Sequence, residues 1–216
     1  VKLKSGQETE INAPGPKVTH AQFEQLLSQI RRTTNDDIVI VAGSVPNSIP
    51  SDAYAQIAQI TEKTGAQLVV DAEKDLVETV LPYRPLFIKP NKDELEVMFN
   101  TTVKSDEDVI KYGKEILKKG AQSVIISLGG DGAIYVDQHQ SIKAVNPQGH
   151  VVNTVGSGDS TVAGMVAGVS MGLNIDEAFQ QAVASGTATA FSEDLATRDA
   201  IENIKSQVTI SVLDGE

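Results

Sequence analysis

Between residues 38 and 126 the chain repeats one alternation: a short, wholly apolar run, then a longer amphipathic stretch, then another apolar run. The runs are Ile38-Val39-Ile40-Val41, Leu68-Val69-Val70, Leu86-Phe87-Ile88 and Val124-Ile125-Ile126. A strand that is apolar at every position has no face left for water, so other elements must cover both of its faces. Such strands, separated by segments long enough for helical crossovers, specify an α/β fold with a mainly parallel sheet and helices on both faces.

The segments between the runs read as helices. Thr19 stands as N-cap of a helix that carries Phe23, Leu26, Leu27 and Ile30 on one face. Ser51 reads as the cap of the next, with Tyr54, Ile57, Ala58 and Thr61 inward and Gly65 as its stop. Further helices are predicted over 76–81 and 92–99, and Ser105-Asp106-Glu107-Asp108 reads as a capping box opening a helix that ends at Gly120. Residues 133–136 and 142–145 read as an antiparallel excursion. Small-residue-rich helices follow over 156–171 and 176–191, where short side chains permit close approach, and Arg198-Asp199 falls in the first turn of a terminal helix. At the other end, residues 1–11 alternate around Ser5-Gly6-Gln7 as two short strands, and Pro14-Gly15-Pro16 makes a hard turn. The division expected is a hairpin at 1–13 and one core over 14–216.

Composition narrows the partners. A net charge of -11 over 216 residues disfavours nucleic acid, which is bound chiefly by Lys and Arg displacing counterions. No apolar run approaches the roughly 20 residues that cross a bilayer, so no membrane role is expected. The absence of cysteine removes disulfides, thiolate metal sites and thiol nucleophiles, which suits a cytoplasmic protein. His20, His139 and His150 have no ligand-like spacing to one another or to acids.

Four strand exits or helix starts can carry chemistry. Asn153-Thr154-Val155-Gly156-Ser157-Gly158-Asp159-Ser160-Thr161 runs straight into a helical stretch. The amides of Gly156, Ser157 and Gly158, unshielded by large side chains and backed by the helix dipole, would form an anion hole for phosphate. Asp159, in the first turn, could accept a proton from a hydroxyl held next to the phosphorus. Alone, it could equally be a helix N-cap. Asn91 and Glu94 lie three apart at the helix start in Lys89-Pro90-Asn91-Lys92-Asp93-Glu94, hence on one face; Glu94 alone reads more simply as a solvated helix-start acid. Ser127-Leu128-Gly129-Gly130-Asp131-Gly132 leaves a buried strand, where open α/β sheets bind ligands, though a Gly-rich exit is more often just a turn. The fourth exit is Ala42-Gly43-Ser44-Val45-Pro46, in which Ser44 is otherwise an ordinary turn former. Neither a P-loop nor a dinucleotide fingerprint occurs.

Taken together and in this order, the four motifs resemble the ribokinase-like (PfkB) carbohydrate kinases. The resemblance implies that Asp159 is the catalytic base, that Gly156, Ser157 and Gly158 are the anion hole, and that Lys89, Asn91, Ser127, Leu128, Gly129, Gly130, Asp131, Gly132 and Gly158 bind ATP. It also implies that Asn91 and Glu94 serve Mg2+ through water, and that Gly43, Ser44 and Asp159 meet the sugar phosphate. Ala184-Ser185-Gly186-Thr187 would flank adenine, or equally reflect tight helix packing. Ala42 and Asn47-Ser48 depart from the family's usual residues around Ser44. The substrates implied are ATP and a sugar phosphate. The opening Val1-Lys2-Leu3 and Thr9-Glu10-Ile11-Asn12 are most like members acting on fructose 1-phosphate to give fructose 1,6-bisphosphate, with tagatose 6-phosphate kinases as the alternative. A different class of reading is a catalytically inactive nucleotide or sugar-phosphate binding module. Residues 1–13 would be part of a β-lid through which a homodimer could form. Relatives place a substrate-gripping aspartate, a Gly-Gly stretch and an arginine upstream of the segment that aligns with Val1. The expectation is that the sugar half is largely missing from a polypeptide beginning there, which would bind nucleotide weakly and phosphorylate no sugar phosphate.

Overall fold

The computed structural model describes residues 15–215; the hairpin expected at 1–13 lies outside the described residues. Among the described residues, seven strands form one sheet whose spatial order follows the chain: β1 (Ile38–Ala42), β2 (Gln67–Asp71), β3 (Phe87–Ile88), β4 (Ser123–Ser127), β5 (Ala133–Val136), β6 (Gln140–Val145) and β7 (Thr209–Gly215). The first four are parallel, and β4 to β7 pair antiparallel.

That order dictates where the helices go. Parallel crossovers are right-handed, so successive crossovers that always step the same way put all their helices on one face. On that face lie α2 (Ala53–Thr64), α3 (Lys74–Val80), α4 (Lys92–Phe99) and α5 (Asp106–Lys119), preceded by α1 (His20–Ile30). Their buried residues, among them Leu27, Ile57, Val77, Leu95 and Ile116, pack with Leu68, Val70, Ile88, Val124 and Ile126. The opposite face must then be covered by later helices: α6 (Ser157–Ser170), α7 (Ile175–Ala190) and α8 (Arg198–Lys205). There Val162, Met165, Phe179 and Ala182 meet Val69, Phe87, Ile125, Tyr135 and Ile142. Alternate residues of one strand thus serve two cores, which is why the runs are apolar throughout.

Local signals account for most helix ends. Thr19 and Gln22 form a reciprocal capping box, with Thr19 N–H donating to Gln22 Oε1 at 2.8 Å. Such caps contribute about 1 kcal/mol each. Leu26, expected inward, is exposed; the buried stripe is Phe23, Leu27 and Ile30. Ser51 is not the cap of α2. The capping position is Asp52, whose carboxylate accepts from Gln56 Nε2 at 2.9 Å instead of from the helix amides. At α5 the box is half formed: Ser105 Oγ accepts from Asp108 N–H, but Asp108 Oδ2 accepts from Lys104 N–H at 2.9 Å and not from Ser105. Asp is one methylene shorter than the Glu or Gln of a complete box.

The small residues of α6 and α7 permit a very close approach. A Cβ on Gly168 would stand 2.8 Å from Ala178 Cα, and one on Gly186 would stand 2.2 Å from Thr161 Oγ1. The sequence reading stops at the terminal helix, whereas the chain continues into β7, which extends the antiparallel half as an edge.

Candidate active site

Because β1 to β4 are parallel, their C-terminal ends share one rim of the sheet, the place where open α/β sheets bind ligands. Backbone bonds tie the exits together. Gly43 N–H donates to Asp71 O at 2.9 Å, Lys89 N–H to Val70 O at 3.3 Å, and Ser127 N–H to Pro90 O at 3.1 Å. Gly43, Lys89, Asn91 and Ser127 therefore lie in one row although they are far apart in sequence. Ser44 is exposed at the end of that row, next to Gly43, which has a φ of 82°.

Lys89 is the only Lys or Arg buried among the described residues, at 7% exposure. Its ammonium lies 3.3 Å from Asp71 Oδ2. It also lies close to the start of α6: a Cβ on Gly158 would stand 3.2 Å from Lys89 Nζ. Any larger residue at 158 would press on the ammonium. The β3 exit and the α6 N-terminus are thus brought together, with a cation between them.

Asp71 is a residue that the sequence reading missed. Its carboxyl is held above the usual carboxylate range, first by burial; Lys89 opposes the shift, and the negative charges of Glu94 and Asp159 add to it. Asp71, Glu94 and Asp159 thus share one electrostatic neighbourhood around Lys89. Tyr54, donating to Gly43 O at 3.0 Å, is likewise pushed up by burial and by Asp71. The signal available in the sequence was an acid closing the apolar run of β2, at the same rim as Lys89 and Ser44.

At the α6 turn, the capping position is Gly156, with φ 81°, so Asp159 is not the cap; it is exposed in the first helical turn. One of the three expected anion-hole amides is already engaged: Ser157 N–H donates to Thr154 O at 3.2 Å, closing the turn. Gly156 and Gly158 are what remain of that trio. The Ser157 hydroxyl is buried without a hydrogen-bond partner among the described residues. Asn91 and Glu94 form a complete capping box, Glu94 N–H donating to Asn91 Oδ1 at 2.8 Å and Asn91 N–H to Glu94 Oε2 at 2.7 Å. Glu94 is therefore a cap as well as a candidate metal residue, and the box engages one of its two oxygens.

Among the described residues no group of three His, Cys, Asp or Glu side chains could enclose a metal ion. That donor set still fits Mg2+, which keeps several waters and takes one or two carboxylates together with substrate phosphates. Asp71 and Glu94 offer such carboxylates at the rim.

The loop after β4 is a single 3-10 turn, Gly129–Asp131, closed by Leu128 N–H to Gly132 O at 2.9 Å and Gly132 N–H to Gly129 O at 3.2 Å. Gly132 is obligatory, since its φ is 94° and a Cβ would fall 1.9 Å from Ala144 O. Gly129 and Gly130 are exposed, and a Cβ on either meets nothing within 4 Å. Ala184, Ser185, Gly186 and Thr187 are all buried on α7, Gly186 directly against α6.

A family profile described as pfkB family carbohydrate kinase matches residues 1–200. The chain is 41% identical over 213 residues to a 1-phosphofructokinase of Bacillus subtilis, covering 99% of this chain and 70% of the relative. It is 34% identical to a D-tagatose-1-phosphate kinase of Bacillus licheniformis, covering 98% and 70%. A solved structure assigned as a phosphofructokinase from Staphylococcus aureus superposes with a TM-score of 0.92 at 82% identity, over 98% of this chain and 69% of that one.

Proposed function

Because the chain belongs to the pfkB family of carbohydrate kinases, we propose that it transfers a phosphoryl group from ATP to fructose 1-phosphate. The observation that carries this reading is the closeness of Lys89 Nζ to Gly158, where even a Cβ would stand 3.2 Å from the ammonium, which sets a buried cation near the helix start that bears Asp159. In the proposed reaction the C6 hydroxyl oxygen of fructose 1-phosphate attacks the γ-phosphorus of ATP. The bond from that phosphorus to the bridging oxygen breaks, ADP leaves, and the hydroxyl proton passes to Asp159. Lys89, Gly156 and Gly158 stabilise the charge that develops on the transferred phosphoryl oxygens. Mg2+, when bound, would supply charge neutralisation for the nucleotide phosphates, and Glu94 and Asn91, with Asp71 nearby, are the residues that would hold it, through water. Ser127 to Gly132 take the nucleotide, and Gly43 and Ser44 face the sugar phosphate.

The two curated relatives described above are named for 1-phosphorylated ketohexoses or their kinases, which favours a C1-phosphate over a C6-phosphate on the acceptor. Tagatose is the second reading, and the relative that supports it is named for tagatose 1-phosphate, not the 6-phosphate considered from sequence. Self-association through residues 1–13 and a cytoplasmic location belong to the same proposal; no helix among the described residues is long and apolar enough to cross a membrane. The test is ADP release by the full-length protein with fructose 1-phosphate, tagatose 1-phosphate, tagatose 6-phosphate and fructose 6-phosphate in parallel. The highest kcat/KM is expected with fructose 1-phosphate. Absence of transfer to every acceptor would favour the inactive binding module.

A further inference from the structure

Asn146, in the segment after β6, belongs to none of the four motifs, yet it joins two of the proposed site's parts. Its Nδ2 donates to Gly129 O at 3.0 Å and to Gly130 O at 3.4 Å, and its Oδ1 accepts from Thr187 Oγ1 at 2.8 Å. Thr187 is buried on α7, and its hydroxyl oxygen also lies 2.8 Å from Val183 O, one turn earlier. The adjoining Gly186 sits against Thr161 and the Ser157 carbonyl of α6. One side chain therefore fastens the 129–132 turn to the helix that packs on the Asp159 turn.

The amide also sets which way that turn faces. In a trans peptide the C=O and N–H point in opposite directions. With Gly129 C=O held by Asn146, the Gly130 N–H is aimed away from Asn146. Both glycines are exposed, and a Cβ on either would meet nothing within 4 Å. Gly132 N–H also donates to Gly129 O, at 3.2 Å, but that bond lies within the turn; Asn146 is the hold that ties the same carbonyl to α7, and two glycines, whose backbone freedom is the largest of any residue, add no side chain of their own to fix the orientation.

We propose that Asn146, anchored by Thr187, is a positioning residue for the nucleotide: it holds the Gly129-Gly130 turn in the one orientation that presents its amide to ATP. The proposal rests on the reading that residues 127–132 take the nucleotide. Asn146 touches no reacting atom, so its loss should weaken nucleotide binding and leave the chemical step intact.

The test is steady-state kinetics of the full-length protein, with thermal unfolding followed in parallel. Asn146→Ala should raise the KM for ATP about tenfold, with kcat and the sugar-phosphate KM within about twofold of the parent. Thr187→Val should shift the ATP KM in the same direction, Thr187→Ser should restore it, and Asn146→Ala combined with Thr187→Val should be no worse than Asn146→Ala alone. An unchanged ATP KM in Asn146→Ala, or a loss confined to kcat, overturns the proposal. Should Asn146→Ala fail to fold, the Thr187 pair decides, because valine without the hydroxyl and serine with it must then differ in ATP KM. Gly130→Val separates the two levels. A higher ATP KM in Gly130→Val beside an unchanged one in Asn146→Ala sinks only the positioning role, whereas no effect of Gly130→Val removes the nucleotide reading of the loop and this proposal with it.

Discussion

Replacing Asp159 by asparagine keeps the shape of the α6 turn but removes the proton acceptor. Turnover should fall at least about a hundredfold while ATP affinity stays within a few-fold, as rapid-quench kinetics and equilibrium titration would show. Near-normal turnover would reassign the base. Asp71 gives a prediction whose sign follows from its surroundings. Burial raises its pKa and Lys89 is the opposing influence, so Lys89→Met should raise it further, read from the carboxyl 13C shift against pH. Since the folded-state pKa lies above the unfolded one, protonation of Asp71 favours the native state. That contribution is fully present below an unfolded pKa of about 4 and is lost as pH rises through the folded value. A titration that moves down in Lys89→Met would show that the ammonium is not its partner. Asp159, Glu94 and Lys89 were legible as candidates because each stands at a fixed offset inside a local string. Asp71 and Asn146 were not, because what defines them is a neighbour across the sheet or across a helix pair, and one acid or amide carries no period of its own.

At the level of elements, α6 and α7 meet along a close seam of small residues. Gly168→Val would force a branched side chain into space where even a Cβ lies 2.8 Å from Ala178. We expect a loss of about 1–3 kcal/mol, measured by urea unfolding, together with a lower kcat because Asp159 rides on the same helix. An unchanged midpoint would mean that the two helices can separate without cost. The helices and buried strands were readable because periods of 3.6 and 2 differ sharply where burial is strong. Boundaries failed where the capping side chain is drawn to another partner, as at Asp52, whose carboxylate takes the Gln56 side-chain amide, or where a side chain is one methylene short, as at Asp108. β7 escaped notice because an edge strand with Val212 and Leu213 largely exposed has little burial pattern to betray it.

For the whole molecule, the parallel half ends at β1, which among the described residues pairs only with β2 and leaves Ile40 45% exposed. An apolar edge strand is a template for another chain. The 216-residue polypeptide should therefore self-associate in light scattering, and Ile40→Lys should reduce that association; a monomer insensitive to the substitution would show that the edge is protected. The strand order has a further consequence, for biosynthesis. Because each strand joins the one made just before it, the sheet can grow on the ribosome in the order of translation, with closures no longer than one crossover from β1 to β6 and a long one only to β7. The helices that cover its second face come later, from residue 157 onward. A nascent chain halted once β6 has emerged would carry Val69, Phe87, Ile125 and Tyr135 on a bare apolar surface, and this is the stage at which a chaperone should be needed most.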